Sequence, residues 1–537
     1  MNVKQLKEVV DELFKNRLTY VQLLQELAEN FYPERADFTV KRKHGNEFAA
    51  DLMTSYPVLT RRDLGDQIGT MLRPTEKSWF KMRPAGGEKT DNEANRWLED
   101  KENIMRRAMY ARPAHFNRAN KEADQDFSAF GQCVVSCRPN RFGDNLLYRN
   151  WHLRDVVWEE NTEGEMGLVA RKWKATARDL VTLFPSKVDD RVRRVLDKAP
   201  FTKYKCYHIV VEADMFTDGN DLGRPYWSIY YDADNETILE SVPVWNMEYA
   251  ISRWQTVSGS QYAYSPATIT ALPDARLIQA MTYALLEAGE KAVNPPLVAT
   301  QDSVRSDVSI YAGGITWVDA DYDERLGQAL RPVAQDLRGL PFGDEQAKDS
   351  REMIAQAFYL HKLSIPERGV EMTAYEVGQR VQEYIRGALP IFEPMEAERN
   401  GNICELTFDI LMRVGVLGSP RDMPSSLQGG IEFEFQSPLH DTIDQQKGQK
   451  FLESKALLAE AADLDQAALY MLDMRSALRD SLTGIGVPAD WMNSKEDVDE
   501  MIQERNEQDA QADELARMQQ SADVANTIGD ASQKLAV

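Results

Sequence analysis

Residues 273–293 and 344–363 read as two helices of about twenty residues each, separated by some fifty residues of strand and loop. No other feature of the chain constrains its fold as much. The first helix opens at Pro273-Asp274, where a proline loses nothing by lacking an N–H and an acid sits in the first turn; Asn294-Pro295-Pro296 stop it. Leu277, Ile278, Met281, Leu285 and Ala288 recur along it as one apolar stripe. The second begins at Asp344, after Gly343. At 1.5 Å per residue each spans roughly 30 Å, so the two read as an antiparallel staple with a small insert at its far end. Beyond them lies the charged loop 364–371, containing Pro366, Glu367, Arg368, Gly369 and Glu371. Thr373 and Glu376 then have capping-box spacing and open a further helix. Pro390 and Pro394 should break that helix before it resumes near 396–415.

The remainder of the chain is mixed. Residues 3–31 carry apolar residues at helical spacing (Leu6, Val9, Val10, Leu13, Leu18, Val21, Leu24, Leu27) and read as one long helix closed by Pro33. Helical patterns follow at 46–72 and 89–128. From 131 to 262, short runs rich in Val, Tyr, Trp and Thr alternate with turn signals, predicting an antiparallel sheet region interrupted by one helix at 177–197. A strand IEFEF occupies 431–435, and 446–520 is helical with a turn at 484–488. The fold class expected is α+β, mainly α with a β-rich portion.

Chemistry is conspicuous by what is missing. There is no phosphate-binding G-x-x-x-x-G-K-[S/T], no H-E-x-x-H and no G-x-S-x-G. The four cysteines form no C-x-x-C and the six histidines do not cluster, so buried thiols are expected and no cofactor or metal. Asp319, Asp321 and Asp323 start like a calcium loop, but Glu324 replaces the required glycine and Leu330 the bidentate acid; Asp232, Asp234 and Glu236 fail at Thr237 and Pro243. Both read as solvated turns. The clusters could also imitate a two-metal nuclease site, which spacing alone does not support. Net charge is −23, unlike the basic surface of a protein that grips nucleic acid. The stretch after 491 holds eleven acids against four bases, a net of −7. No run is long and apolar enough for a membrane span, and MNVKQLKEVVDELFKN lacks the apolar core of a signal peptide, which predicts a cytoplasmic setting.

Several stretches in combination resemble the head-to-tail connector (portal) proteins of T7-like short-tailed bacteriophages. RRDLGDQIGTMLRPTEKSWFKM (61–82) is similar to that family's N-terminal block, with Pro74 and the Trp79-Phe80 pair. YAYSPATITALPDARLIQ…EKAVNPPLV (262–298) looks like its first stem helix and Pro-Pro exit. AFYLHKLSIPERGVEMTAYEVGQR (357–380) resembles its second stem helix, tunnel loop and long-helix start; FQSPLHD and LTGIGVPADWM match further on. Tyr262-Ala263-Tyr264 departs from the pattern, since members often carry glycine after the first tyrosine.

The resemblance implies a portal fold with wing, stem, clip and crown, assembling as a ring, usually of twelve subunits. The wing would be 1–265, stem helix 1 266–293, the clip 294–342, stem helix 2 343–363 and the tunnel loop 364–372. The long helix and wing completion would be 373–445, and the helical crown with its acidic tail 446–537. The implied function is a channel at one capsid vertex through which viral double-stranded DNA is packaged and ejected, with no catalysis. Implied partners are DNA passing without sequence specificity, terminase, tail adaptor and nozzle proteins, major capsid protein, and scaffolding or internal core proteins. The setting is the head-tail junction of the virion, assembled in the host cytoplasm. Taken alone, loop 364–371 is an ordinary surface loop; given the resemblance, Glu367, Arg368 and Glu371 face the channel. Lys348 and Arg351 either line the channel or make inter-subunit ion pairs. A metal-dependent nuclease and a non-conducting capsid or scaffold component are the alternative readings.

Overall fold

The structure is a computed structural model that describes residues 2–41, 45, 52–75, 78–87, 92–216, 223–299, 317, 330–332, 340–360, 395–427, 430–435, 451–459, 473–485, 487, 491–493, 497–508, 510–512 and 518–519. Helix and strand are mixed, as the sequence predicts. The chain divides into two compact units, 1–71 with 111–406, and 72–110 with 407–537.

The first unit opens with helices α1 (Val3–Asn16) and α2 (Leu18–Phe31). Asn2 and Gln5 form a reciprocal capping box that starts α1. The single helix expected over 3–31 is thus two, broken at Arg17. The physical reason is visible in its side chain: Arg17 is buried and its guanidinium donates to the carbonyls of Leu153, Arg154 and Val156 at 2.7–2.9 Å. Helical periodicity reports which residues face the core, but it carries no sign of where a buried cation finds its acceptors.

Helices α3 (Tyr56–Leu72) and α4 (Phe116–Phe130) precede two antiparallel sheets. Strands β1 (Gln132–Pro139), β2 (Leu146–Trp151), β3 (Val156–Glu160) and β4 (Met166–Thr176) come first. Two helices follow, α5 (Ala177–Leu183) and α6 (Asp190–Lys198), where one was expected over 177–197. Asp189 caps the second of them, accepting from Arg191 N, which forces a restart. Strands β5 (Lys203–Glu212), β6 (Tyr226–Asp232), β7 (Thr237–Val244) and β8 (Tyr249–Arg253) complete the region.

One sheet has the order β2-β1-β8 and the other β3-β4-β5-β6-β7. Period-two alternation gives each sheet two faces. In the larger sheet Leu168, Ala170, Ile209, Val211, Trp227 and Ile229 form a core with Val3, Leu6 and Val10 of α1. The opposite face carries Arg171, His208 and Tyr230, which lie side by side in register. All four cysteines are free and buried.

Helix α7 (Pro266–Val293) follows, then α8 (Leu340–Ala357). Between them, Leu297–Ala299 pairs antiparallel with Leu330–Pro332. The unit's last described turns include a π-helical segment, Glu396–Gly401, leading into the helix Asn402–Val414.

In the second unit Phe80–Pro84 pairs antiparallel with Ile431–Phe435, in the register Phe80↔Phe435. Trp79 is buried there; its Nε1 donates to the Tyr110 hydroxyl at 3.0 Å and its ring meets Phe80 edge-on. The helical reading of 89–128 resolves into Asn92–Met109 and, in the first unit, α4, with a short 3-10 turn at Arg112–Ala114 between them. Helical segments at 451–459, Met474–Ile485 and 497–508 agree with the helical reading of the C-terminal part.

Candidate functional site

The paired helices α7 and α8 are the element in which the sequence places Lys348 and Arg351 and which leads toward loop 364–371. Sequence spacing starts the first at Pro273, but the helix begins seven residues earlier. Ser265 caps it, accepting from Thr268 N, and Pro266 takes the first helical position, so Pro273 falls inside a 28-residue helix. The second helix likewise begins at Leu340, with Gly343 inside it. The two are therefore unequal, 28 and 18 residues.

The start of α7 is anchored deeply. Ser265 Oγ donates to the Ser128 carbonyl and Thr268 Oγ1 to the Ala129 carbonyl, both at 2.8 Å. Gly131 explains how the chains approach so closely: its φ is +72°, and a Cβ there would lie 2.1 Å from the Tyr264 carbonyl carbon. Further along, Arg276 pairs with Glu26, and Gln279 accepts from Met53 N and Thr54 N while donating to the Thr54 carbonyl.

Burial then stops. Ala267, Thr268, Ala271, Leu272, Ala275 and Ile278 are buried, and none of the α7 residues after Ile278 is. Against α8, whose buried residues are Ala347, Ser350, Ile354 and Ala355, the helices run antiparallel; Gly343 lies so near Leu285 that an added Cβ would sit 3.0 Å from Leu285 Cδ2. The apolar stripe read from the sequence is partly corrected, because Leu277 is 40% exposed. Tyr283, Leu286, Val293, Phe342 and Met353 are also exposed, which gives this unit a projecting helical pair with apolar side chains left facing outward.

The end of α8 is sharply defined. Phe358 is buried against Phe31, their ring centroids 5.5 Å apart, and Tyr359 takes φ +57°, a left-handed conformation that ends the helix. Of the candidate residues, Lys348 is exposed and bonds Asp344 at 2.9 Å within its own helix, and Arg351 is half-buried. Pro366, Glu367, Arg368, Gly369 and Glu371 lie outside the described residues, as do Asp319, Asp321 and Asp323.

Two clusters could be mistaken for chemistry. Asp232 is not solvated, as the turn reading expects, but fully buried; it accepts from Asp234 N, Asn235 N and Asn235 Nδ2 and so closes the β6–β7 turn, while Glu236 bonds Lys4. Ser228, His208 and Glu248 also converge. However, His208 Nε2 meets Ser228 Oγ at 2.9 Å and Glu248 Oε2 at 3.4 Å, so one nitrogen serves both, and Nδ1 faces the Tyr249 hydroxyl. A base oriented by an acid needs its two nitrogens facing different partners. Burial also pushes the imidazole well below its usual range. Among the described residues no group of acids, histidines and cysteines is placed to hold a metal, and no helix is long and apolar enough to cross a membrane.

The anchors Ser265, Thr268 and Gly131, and the left-handed Tyr359, escape a reading by motif. The Ser-Pro pair at 265–266 was the available signal for the first of them.

Comparison with known proteins gives this helical pair a context. The chain is 24% identical over 439 residues to a probable portal protein of Bordetella phage BPP-1, covering 80% of this chain and 77% of the relative. It is 21% identical over 502 residues to the portal protein of Salmonella phage epsilon15, covering 88% and 85%. Among solved structures, a chain from the virion of a native gene transfer agent particle matches at 9% identity and a TM-score of 0.33, over 80% of this chain and 95% of that one. The model of the bacteriophage head to tail connecting protein family matches residues 3–492. With the match running through both units, the chain belongs to the bacteriophage head to tail connecting protein family.

Proposed function

We propose that the chain is a portal subunit, one member of a ring at a capsid vertex through which double-stranded DNA is packaged and ejected. The observation that carries this is the family match across residues 3–492. The family is structural, and the chain performs no catalysis of its own. The helical pair α7–α8 suits the stem: anchored at one end by Ser265 and Thr268, it projects with apolar side chains uncovered, as a wall element awaiting neighbours does. The Leu297–Ala299 and Leu330–Pro332 pairing supports reading 294–342 as one insert at the stem's tip, the clip.

In this reading the ring has twelve subunits, and terminase and later the tail adaptor and nozzle proteins dock at the clip. Scaffolding or core proteins meet the crown, major capsid protein surrounds the wing, and assembly occurs in the host cytoplasm. Pro366, Glu367, Arg368, Gly369 and Glu371 form the tunnel loop, and Lys348 and Arg351 line the stem channel. Contacts with DNA are to the phosphate backbone and transient, because a conduit for a whole genome cannot depend on base sequence.

Negative-stain imaging of the purified chain tests the reading. Rings with a central opening are expected. A chain that remains a monomer across salt and protein concentration overturns it.

A further inference from the structure

The first unit holds both flanks of residues 361–394 at one place. On the near flank, just past α8, the Tyr359 ring centroid lies 6.2 Å from that of Trp254. On the far flank, Glu398 accepts from the backbone N–H of Arg253 at 2.7 Å and pairs with the Arg253 guanidinium at 2.9 Å. Arg253 ends β8 and Trp254 follows it, so two neighbouring residues hold both roots of the segment.

That place is tied down on several sides. Trp254 is buried, stacks on Phe127 of α4 at a centroid distance of 5.1 Å, and donates its backbone N–H to the Gly131 carbonyl at 2.7 Å. Arg399, next to Glu398, reaches Asp124 and Asn120 of the same helix. Phe358, next to Tyr359, packs on Phe31 of α2. Arg253 also pairs with Glu160 at the end of β3, in the other sheet. The β3–β4 register shifts just there, between Glu159 and Glu160, an irregularity of the kind that re-aims a side chain. One arginine thus joins both sheets to the far flank of the segment, through charge-assisted bonds that are stronger than neutral ones.

We infer that Arg253 and Trp254 are positioning residues for the tunnel loop, fixing both roots of its segment on one platform made by the end of β8 and α4. The inference rests on the portal reading, which puts the loop of Pro366 to Glu371 within that segment and against DNA. DNA drawn through a ring pulls on whatever it touches. A loop rooted at two independent places would distort the unit between them. Roots on adjacent residues move together, and the load passes through Arg253 into both sheets. If these contacts served the fold alone, loosening them would cost stability and ring formation first. A positioning role spares both and shows in the handling of DNA.

The test compares full-length wild type with two variants. Glu398→Gln keeps the side chain's shape and removes its charge; Tyr359→Asn removes the ring but tolerates the left-handed backbone at φ +57°. Mass photometry measures rings, thermal unfolding the fold, hydrogen exchange the flanks, and in vitro packaging the DNA retained. Rings should form as in wild type, and unfolding should shift by only a few degrees. Amide exchange within Glu396–Gly401 should rise about 10-fold in Glu398→Gln, the scale of losing a hydrogen bond to a charged group, with the first turn of α7 unaltered. Retained DNA should fall by more than half in each variant. The double variant should fall little further, since freeing either root already frees the loop. Unchanged packaging by the folded variants overturns the inference and leaves the portal reading standing. So does a loss of packaging that only follows lost rings or lost fold in both; where one variant fails to fold, the other decides. A wild-type chain that never forms rings overturns the portal reading and this inference with it.

Discussion

Arg399 Nη1 donates to Asp124 Oδ1 at 2.8 Å across 275 positions of sequence, and both side chains are sealed from water. Arg399 Nη2 also reaches the carbonyl and Oδ1 of Asn120, each at 2.9 Å. The arginine lies in the π-helical segment Glu396–Gly401, where its neighbour Glu398 turns to Arg253 at 2.9 Å. Widened helical turns of this kind recur at functional positions. Here two successive side chains each reach a different fixed partner, tying the segment that follows residues 361–394 to the core of the first unit.

Removing one member of that pair leaves the other charge buried without compensation. Arg399→Ala and Asp124→Ala should each lower stability by about 3–5 kcal/mol. The double variant should lose less than the sum of the two, because each single change already breaks the shared contact. Urea unfolding followed by tryptophan fluorescence measures all three, and strict additivity would dissolve the coupling.

Gly131 and Gly143 have nearly the same dihedral, φ +72° and +73°, but opposite surroundings. A methyl group at Gly131 collides with the backbone at Tyr264 and Ser265; at Gly143 it meets nothing within 4 Å. Gly143→Ala should therefore cost only the left-handed backbone penalty, roughly 1–2 kcal/mol. Gly131→Ala should prevent accumulation of folded protein. Thermal denaturation and soluble yield compare them, and similar values for the two would remove the close-packing argument.

Ser265→Ala removes the cap of α7 and leaves the Ser128 carbonyl without its donor. A loss of ~1–2 kcal/mol is expected from the cap alone. Faster amide hydrogen exchange should appear in the first turn of α7, with exchange at the far end of the helix unaltered.

Burial raises the Glu102 carboxyl from its ordinary 4.5 to about 7, against the lowering effect of the Met82 N–H that it accepts at 2.6 Å. Because the folded value exceeds the unfolded one, the stabilising contribution is fully present below pH 4.5 and is lost as pH rises through 7. Glu102→Gln retains the acceptor and cannot ionise. It should flatten stability across that window and raise it at pH 8 by about 2 kcal/mol, allowing for solvent at this half-buried side chain. A pH profile parallel to that of the wild type would refute the assignment.

Glu367→Ala combined with Arg368→Ala should leave ring formation intact while reducing DNA packaging or retention. In vitro packaging with imaged particles separates the two steps. Normal packaging by rings of this double variant would remove the channel role of the loop.

Much of the architecture was legible in the residues. The β-rich stretch over 131–262 and the strand IEFEF at 431–435 lie where alternation placed them, and the four cysteines are buried thiols. Boundaries were less legible. Pro273 read as a helix start because proline favours that position, yet Ser265 and Pro266 offered the same signal sooner and with a side-chain cap. The break at Arg17 had no local signal at all, since an arginine there suits helix periodicity.

Sequence by itself determined the class of the chain: the absence of catalytic motifs, the periodicities of 3.6 and 2, and the combination of motifs shared with the connector family, all of which are properties of neighbouring residues. Tertiary structure alone decided which charges are paired. Arg17 with three distant carbonyls, Arg399 with Asp124, and Arg171 with Trp151 and Tyr249 all depend on contacts between residues far apart in sequence. The physical reason is desolvation. An arginine's role is set by whether burial has removed its water and what replaces it, and that is settled only when the two sheets and their helices close on one another.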